Sequence, residues 1–211
     1  MMRIVLFFTV LLLSGCSRGI AVNVPDPLSS SDTQVGYLAG SLGVTTEWPS
    51  TGKKIITTLN IRHVASNEII TIARVESVPD FETEQLEGQL FTLTLPVGQY
   101  ELDSVSFKGN NGVQTVRSKS ESDLGGMITI SPNQVTYIGQ FITSSLIAKS
   151  PLWNTQYPSG YAKIQHDYVL DRDKQIFDEQ FPELRALAFI SEPLQGSTLS
   201  SWSPPFWSNW L

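Results

Sequence analysis

Short segments in which apolar and polar residues alternate follow one another through most of the chain after Val35. In the clearest segment, Ile55–Arg62, every second residue from 55 to 61 would lie on one face of a strand and the residues between them on the other. This period of two is typical of half-buried β-strands. Nine segments are predicted as strands: Val35–Ala39, Ile55–Arg62, Ile69–Val75, Gln89–Leu95, Gln99–Phe107, Val113–Arg117, Met127–Ile130, Val135–Ile142 and Ala162–Leu170. Many short strands separated by turn residues predict an all-β protein, an antiparallel β-sandwich of about seven to nine strands.

Two local patterns refine this prediction. The apolar parity changes between Leu102 and Val105, which predicts a bulge near Asp103-Ser104. Met127–Ile130 and Val135–Ile142 are predicted to pair with each other.

One short helix is predicted near residues 173–181. Ile176, Phe177 and Phe181 have helical spacing, and Pro182 would end the helix. We therefore expect a sandwich at 35–192, followed by a tail at 193–211 that is rich in tryptophan and proline.

Composition limits the classes of function. The chain has 211 residues, with 14 basic and 20 acidic residues and a formal net charge of −6. Because nucleic-acid binding needs a basic patch to displace counterions from phosphates, no nucleic-acid partner is expected. The single cysteine excludes an internal disulfide and a cysteine-based zinc site, and two histidines exclude a three-histidine metal site. No phosphate-binding glycine loop or dinucleotide fingerprint occurs, so neither a cofactor nor a metal is predicted.

The first residues have the pattern of a secretory signal. Arg3 precedes an apolar run that extends through Leu13, which is shorter than the roughly 20 residues that a membrane-spanning helix needs. The next residues, Leu13-Ser14-Gly15-Cys16, resemble the lipobox of bacterial lipoproteins, in which the cysteine receives diacylglycerol and becomes the new N-terminus after cleavage. The alternative is an ordinary signal peptide in which Cys16 is incidental.

The lipobox resemblance carries further expectations. It implies a signal peptide at 1–15, fatty acids (palmitate) on Cys16 and anchoring in the membrane through them. Ser17 follows the cysteine in place of aspartate, and in Gram-negative lipoproteins this implies transfer to the outer membrane, with the periplasmic or surface face left open. Residues 16–34 are predicted to form the lipidated N-terminus and a flexible tether, because Ser17–Gln34 is rich in proline and serine and would reach at most roughly 60 Å.

Two segments inside the sandwich carry a second resemblance. Leu95-Pro96-Val97-Gly98-Gln99-Tyr100-Glu101-Leu102 looks like the turn of carboxypeptidase-regulatory-like (transthyretin-like, prealbumin-like) domains, and Val135-Thr136-Tyr137-Ile138-Gly139 is similar to a later strand in uncharacterised envelope lipoproteins of that kind. The resemblance implies a sandwich that binds, spaces or stabilises.

Candidate catalytic residues are few. Ala39-Gly40-Ser41-Leu42-Gly43 nearly matches a nucleophile elbow, but the residues after it are poor helix formers, so a glycine-rich turn is the preferred interpretation and catalytic Ser41 the alternative. His166 is predicted as a core or core-edge residue, since its neighbour Asp167 would point to the opposite face of a strand. His63 is predicted to lie at the surface or in a turn.

An acidic cluster follows the last predicted strand. Its members are Asp171, Asp173, Asp178 and Glu179. An EF-hand loop that began at Asp171 would need glycine at position 6 and glutamate at position 12. The chain has Ile176 and Pro182 there, so this spacing does not fit a calcium loop. Asp173 is predicted instead as a helix cap or a first-turn acid.

Aromatic residues are concentrated in two places. Trp153, Tyr157 and Tyr161 fall in one segment, and Trp202, Trp207 and Trp210 fall in the C-terminal tail. So much aromatic surface is not left in contact with water unless another part of the chain or a partner covers it. The tail is expected to fold back onto the sandwich, with protein docking, glycan stacking and membrane-interface contact as alternatives.

These patterns predict a lipid-anchored envelope protein that is not an enzyme and acts as a binding or assembly module. Two alternatives remain open: a glycan- or peptidoglycan-binding lipoprotein that uses the exposed aromatic residues, and an envelope serine hydrolase that uses Ser41 or His166.

Overall fold

The computed structural model describes residues 19–29, 34–45, 55–75, 78–84, 86–110, 115–119, 124–149, 156–194 and 200–201, of which 27, 29, 45, 55, 109–110, 115–119, 144–149, 156–163 and 200–201 are described by their backbone alone. Within these residues the strands are β1 (Ile20–Asn23), β2 (Val35–Thr45), β3 (Ile55–His63), β4 (Ile69–Arg74), β5 (Phe81–Glu82), β6 (Leu86–Pro96), β7 (Gly98–Asn110), β8 (Thr115–Lys119), β9 (Met127–Ile130), β10 (Gln134–Lys149), β11 (Gln156–Asp167), β12 (Ala188–Ser191) and β13 (Ser200–Ser201). The helices are α1 (Asp26–Ser29) and α2 (Leu170–Gln180), and a 3-10 turn spans Pro182–Leu184. None of the described helices has the length and apolar character needed to cross a membrane.

The strands form two sheets. Sheet A is antiparallel and has the order β1-β4-β3-β7-β8, with β9 beside the first residues of β7. Sheet B has the order β13-β11-β10-β2-β6-β5, with β12 beside the first residues of β10. The predicted all-β sandwich is confirmed. The pairing is mixed, however, because β10 runs parallel to β2 and β12, and β11 runs parallel to β13.

The main core lies between the two sheets. Every second residue of the long strands points into it, as the alternation predicts. Its fully buried members include Leu38, Leu59, Ile72, Phe91 and Phe141. Burying a side chain of this size contributes about 1.5–3 kcal/mol, so this layer provides most of the driving force for folding.

The bulge predicted in β7 is present. Asn60 pairs with Ser104 and Ile61 pairs with Leu102, which leaves Asp103 as one extra residue. The extra residue shifts the parity of β7 and turns the apolar residues on both sides of it toward the core.

A second bulge lies in β10. Tyr137 pairs with Ala39 and Gln140 pairs with Ser41, so β10 has one residue more than β2 over this stretch. Gly139, within the bulge, has φ +92°. A Cβ atom there would lie 2.6 Å from the Asp167 carbonyl oxygen, which leaves no room for a side chain.

The predicted pairing of Met127–Ile130 with Val135–Ile142 is wrong. β9 pairs with β7 in sheet A, whereas β10 lies in sheet B, so the turn between them crosses from one sheet to the other. Asn133 has φ 53°, and its N–H donates to the Val35 carbonyl oxygen at 3.2 Å. Alternation identifies strands but does not show which strand lies beside which.

The prediction of a tether at 16–34 needs correction for residues 19–29. β1 pairs with β4 over four residues, and Leu28 in α1 is buried in the core. Ile20, Val22 and Val24 fall at every second position, but this pattern is short and is followed by Pro25 and Pro27, as in a linker. The segment nevertheless adds an edge strand to sheet A.

The remaining differences concern short elements. α2 begins three residues before the predicted helix and ends before Pro182, as expected. Four strands were not predicted, namely β1, β5, β12 and β13. β5 and β13 have two residues, too few for an alternating pattern, and β1 and β12 have four, the shortest length at which such a pattern can be recognised.

A turn joins β6 and β7 within Leu95–Leu102, the segment that looks like a turn in the sequence. Pro96-Val97-Gly98 reverses the chain and carries it from sheet B to sheet A. Tyr100 is fully buried, and its hydroxyl donates to the Pro96 carbonyl oxygen at 2.9 Å. Burial raises the pKa of Tyr100 to about 12, so it remains a phenol donor.

Candidate functional site: a buried carboxylate between α2 and sheet B

Helix α2 packs on the face of sheet B that points away from sheet A. Phe177 and Phe181 lie one turn apart on the buried side of the helix. The Phe189 ring packs against both Phe177 and Tyr137. Its centroid lies 5.1 Å from the Phe177 centroid and 5.5 Å from the Tyr137 centroid. These rings form a second apolar cluster that attaches the helix to the sheet.

Asp173 carries a carboxylate into this interface. It lies one turn before Phe177 on the same side of α2, and its side chain is fully buried. Its Oδ2 atom accepts hydrogen bonds from the Ser41 hydroxyl at 2.7 Å and from the Tyr137 hydroxyl at 2.6 Å. Both donors stand on sheet B, so the carboxylate joins the helix to strands β2 and β10.

Arg172 satisfies the other carboxylate oxygen. Its Nε and Nη2 atoms donate to Asp173 Oδ1 at 2.8 and 2.6 Å. The guanidinium carbon lies 3.6 Å from the centroid of the Phe81 ring. Pairing and hydrogen bonding on both oxygens offset the cost of removing the carboxylate from water. We refer to Ser41, Tyr137, Arg172 and Asp173 as the polar cluster.

The chemistry of the polar cluster is that of a saturated acceptor. Burial, followed by the charge of Asp173 and its hydrogen bond, raises the pKa of Tyr137, which keeps this residue a neutral donor. A serine nucleophile needs an adjacent base to take its proton. Ser41 donates to a carboxylate that already has three other donor atoms, and no hydrogen bond joins it to a histidine within the described residues. The arrangement is suited to attaching the helix.

A second polar link lies at the other end of α2. Gln180 Nε2 donates to Asp80 Oδ1 at 2.7 Å, and Asp80 Oδ2 accepts the Leu90 backbone N–H at 2.8 Å. Burial raises the pKa of Asp80, although both of these hydrogen bonds act to lower it. The link fixes the segment before β5 between the helix and the edge of β6.

Ser41 lies within a strand. The expected glycine-rich turn at Ala39–Gly43 is wrong, because these residues belong to the middle of β2. A Cβ atom on Gly40 would lie 2.6 Å from Phe91 Cζ, so glycine is required here by close packing rather than by a turn. The alternative of an elbow at Ser41 also loses its geometry, since β2 continues through Thr45.

Both histidines lie where they were predicted. His166 is 9% exposed, its Nε2 lies 2.6 Å from the Ile138 carbonyl oxygen, and its ring packs against Phe141. Burial lowers the pKa of His166, with the Ile138 carbonyl and Asp167 acting in the opposite direction. His63 is the last residue of β3 and borders the turn before β4, where its Nδ1 lies 2.8 Å from the Ser66 hydroxyl.

The acidic residues near α2 do not form one cluster. Asp173 is the predicted first-turn acid, but it does not cap the helix, since the N-cap is Val169. Asp178 pairs with Lys174, and Glu179 accepts a hydrogen bond from Gln175. No group of three metal-ligating side chains occurs among the described residues.

The other predicted site residues are placed in part or lie outside the described residues. Cys16, Trp153, Trp202, Trp207 and Trp210 are outside them. Tyr157 and Tyr161 belong to β11, of which the structure gives the backbone at these positions.

The beginning of the C-terminal tail packs against the sandwich. Leu194 is buried in the main core, and β13 pairs with β11. This agrees with the expectation that the tail folds back, for these residues.

Sequence reasoning missed the polar cluster. The available signal was the spacing of Asp173, Phe177 and Phe181, which places a carboxylate on the apolar side of the helix. A charged residue on that side needs a partner inside the protein. The identity of the partners Ser41 and Tyr137, more than 30 positions away along the chain, follows from the topology of sheet B.

Comparison with known proteins adds little. No family model matches the sequence, and no curated protein does. Among solved structures the chain is similar to a leucine-rich repeat protein from Bacteroides thetaiotaomicron VPI-5482, at 10% sequence identity and a TM-score of 0.34. The match covers 83% of this chain and 28% of that one. A likeness this weak assigns neither a family nor a function.

Proposed function

We propose that this chain is a lipid-anchored envelope protein that acts as a binding or assembly module, without catalysis. The observation that carries the proposal is Leu13-Ser14-Gly15-Cys16, placed directly after a short apolar run with a cationic start and containing the chain's sole cysteine. One acyl chain anchors marginally, whereas two or more anchor stably. Ser17 in the position after the cysteine supports an outer-membrane address.

The fold is compatible with this role. Its first strand, β1, begins at Ile20, four positions after Cys16, and pairs with β4, so the folded body follows the proposed lipid almost at once. Ser41 and Asp173 are buried groups of the kind used in catalysis, but here they attach α2 to sheet B. We therefore assign the polar cluster to stability.

Lipidation is tested in the full chain expressed with its own signal in a Gram-negative host. We expect incorporation of labelled palmitate, partition into the detergent phase and a mass that includes fatty acids. Cys16→Ser should abolish all three, whereas the matched variant Ser14→Ala, which keeps a small residue in the lipobox, should leave them unchanged. An unprocessed N-terminal Met1 and no added fatty acid would contradict the proposal.

The address is tested separately by Ser17→Asp. If the outer-membrane assignment is right, this variant should remain lipidated but shift to the inner-membrane fraction on a density gradient. Equal distribution of both forms would contradict the address while leaving the anchor in place.

A further inference from the structure

The position of β1 fixes which end of the sandwich carries the proposed lipid. β1 pairs with β4 over four residues, from Ile20 opposite Arg74 to Asn23 opposite Thr71. The Val75 N–H donates to the Gly19 carbonyl oxygen at 2.8 Å, and Ile20 packs against the main core. Gly19 is therefore held at the end of the body where β4 terminates.

The chain between the lipid and this point is short. Cys16 and Gly19 are separated by three peptide units, which span at most about 11 Å. The polar headgroup region of a bilayer is itself about 5–8 Å thick on each side. A lipidated Cys16 would thus hold the Gly19 end of the body against the headgroups, in place of the roughly 60 Å reach of an extended tether over 17–34.

The two sheets end together on this side. The Arg74 guanidinium pairs with the Glu87 carboxylate at 2.7 Å, and this joins the end of β4 to the start of β6. The Thr57 and Thr143 hydroxyls lie 2.7 Å apart and join the start of β3 to the matching part of β10. An anchor at Gly19 therefore orients both sheets as one unit.

Two valines on this side are exposed. Val75 directly follows β4 and is 37% exposed, and Val78, in the connection to β5, is 83% exposed. An interfacial position next to the lipid headgroups would remove these two apolar side chains from water.

We infer that the end of the sandwich at which β1 begins and β4 terminates docks on the surface of the phospholipid bilayer, with Val75 and Val78 at the contact and the strands of sheet A standing away from the membrane. The inference rests on the proposed lipidation of Cys16. The opposite end, with the turn at 64–68 between β3 and β4, then faces away from the lipid and is available to an envelope partner.

β4 provides a matched pair of positions for the test. Ile69 is the first residue of β4 and Val75 follows its last residue; the two positions have the same parity and are each 37% exposed. Six residues of strand separate them by about 20 Å. A body that stands on its β1 end brings Val75 close to the headgroups and keeps Ile69 away from them, whereas a body that lies flat on sheet A brings both positions close.

The experiment uses the full chain, purified with its lipid and reconstituted in phosphatidylcholine vesicles that carry a nitroxide on the headgroup. Ile69→Cys and Val75→Cys are labelled with the same fluorophore, and the new thiol is the reactive one because lipidation consumes Cys16. We expect both variants to float with the vesicles and the label at 75 to be quenched several-fold more strongly than the label at 69. The same variants carrying Cys16→Ser should show neither flotation nor quenching.

The outcomes separate the two proposals. Flotation with equal quenching, or with stronger quenching at 69, would overturn the orientation while the anchor stands. Failure of the unmodified full chain to float would overturn the anchor and the orientation with it. If Val75→Cys does not fold, Val78→Cys and Val64→Cys form a second pair at opposite ends of the body, 83% and 49% exposed in the native chain, with the same expected order.

Discussion

The main core and the attachment of α2 bury their side chains by different means. The core between the sheets is apolar, and its members include Leu59, Phe91 and Phe141 at 0% exposure. The interface between α2 and sheet B combines an aromatic cluster with a carboxylate, Asp173, that is equally buried. Apolar burial is non-directional and degrades gradually when a side chain is reduced. A buried carboxylate depends on every one of its donors, so the helix attachment should fail more abruptly.

The largest effect is expected in the core. Phe91→Ala should lower the free energy of unfolding by about 3–5 kcal/mol, because it removes a fully buried ring and leaves a cavity between the sheets. Urea unfolding followed by fluorescence and circular dichroism should show one shifted transition. Val64→Ala, at an exposed position, is the control and should stay within about 0.5 kcal/mol of the native chain. Loss of β-structure in one sheet before the other would contradict the view of the core as one unit.

Asp173→Ala should come next, at about 2–4 kcal/mol. The substitution leaves Ser41 and Tyr137 without their acceptor and Arg172 without its partner, although the arginine side chain is 28% exposed and recovers part of its hydration. Hydrogen exchange should show loss of protection in α2 before loss in sheet A.

Asp171→Ala is the matched control for that experiment. It removes an exposed carboxylate from the same helical turn and should change stability by less than about 0.5 kcal/mol. Equal destabilisation by both variants would mean that the polar cluster contributes nothing specific.

Gly139→Ala should cost about 1–3 kcal/mol. The bulge in β10 turns Tyr137 toward the helix and Phe141 toward the core, so this residue serves both regions. A methyl group there meets His166 and a positive φ. Gly125 also has a positive φ, so Gly125→Ala is the control for backbone strain alone. A larger loss of stability in Gly139→Ala would measure the contact with His166. Equal losses at both positions would rule out the contact.

The smallest effect concerns pH. Burial lowers the pKa of His166 below its ordinary value of 6.5, so below that pH the unfolded chain binds more protons and the free energy of unfolding falls. The raised pKa of Asp80 acts in the other direction. It adds stability that is fully present below pH 3.8 and is lost as the pH rises through the folded-state pKa of Asp80. In His166→Gln, the free energy of unfolding should vary less with pH between pH 7 and the folded-state pKa of His166. An unchanged slope would assign it to other groups.

The sequence predicts the two regions unequally. Alternation in segments such as Ile55–Arg62 identifies the long strands of the core, and the change of parity before Val105 locates the bulge at Asp103. Partners were harder to predict, because a strand pattern is the same whichever neighbour it has. β9 was therefore assigned to β10 when it pairs with β7.

The helix attachment could be predicted only on one side. The spacing of Phe177 and Phe181 shows which side of α2 is buried, and Asp173 falls on that side. Its two hydroxyl donors, Ser41 and Tyr137, come from β2 and β10, which become neighbours through a parallel pairing that no local pattern indicates. The sequence shows that Asp173 needs partners inside the protein, and the topology of sheet B determines which residues they are.

The parallel pairing of β2 with β10 also affects the rate of folding. Tyr37 lies opposite Val135, 98 positions later, and the pairing continues to Val44 and Thr143. Closing so long a segment is entropically costly, and chains dominated by such distant pairings fold in milliseconds to seconds. The centre of sheet B cannot assemble until the chain is available through Thr143, and until then Leu38 and Leu42 have no cover from β10. We expect refolding to be slow and its yield to fall with protein concentration, and a chaperone that keeps the early strands apart should restore that yield.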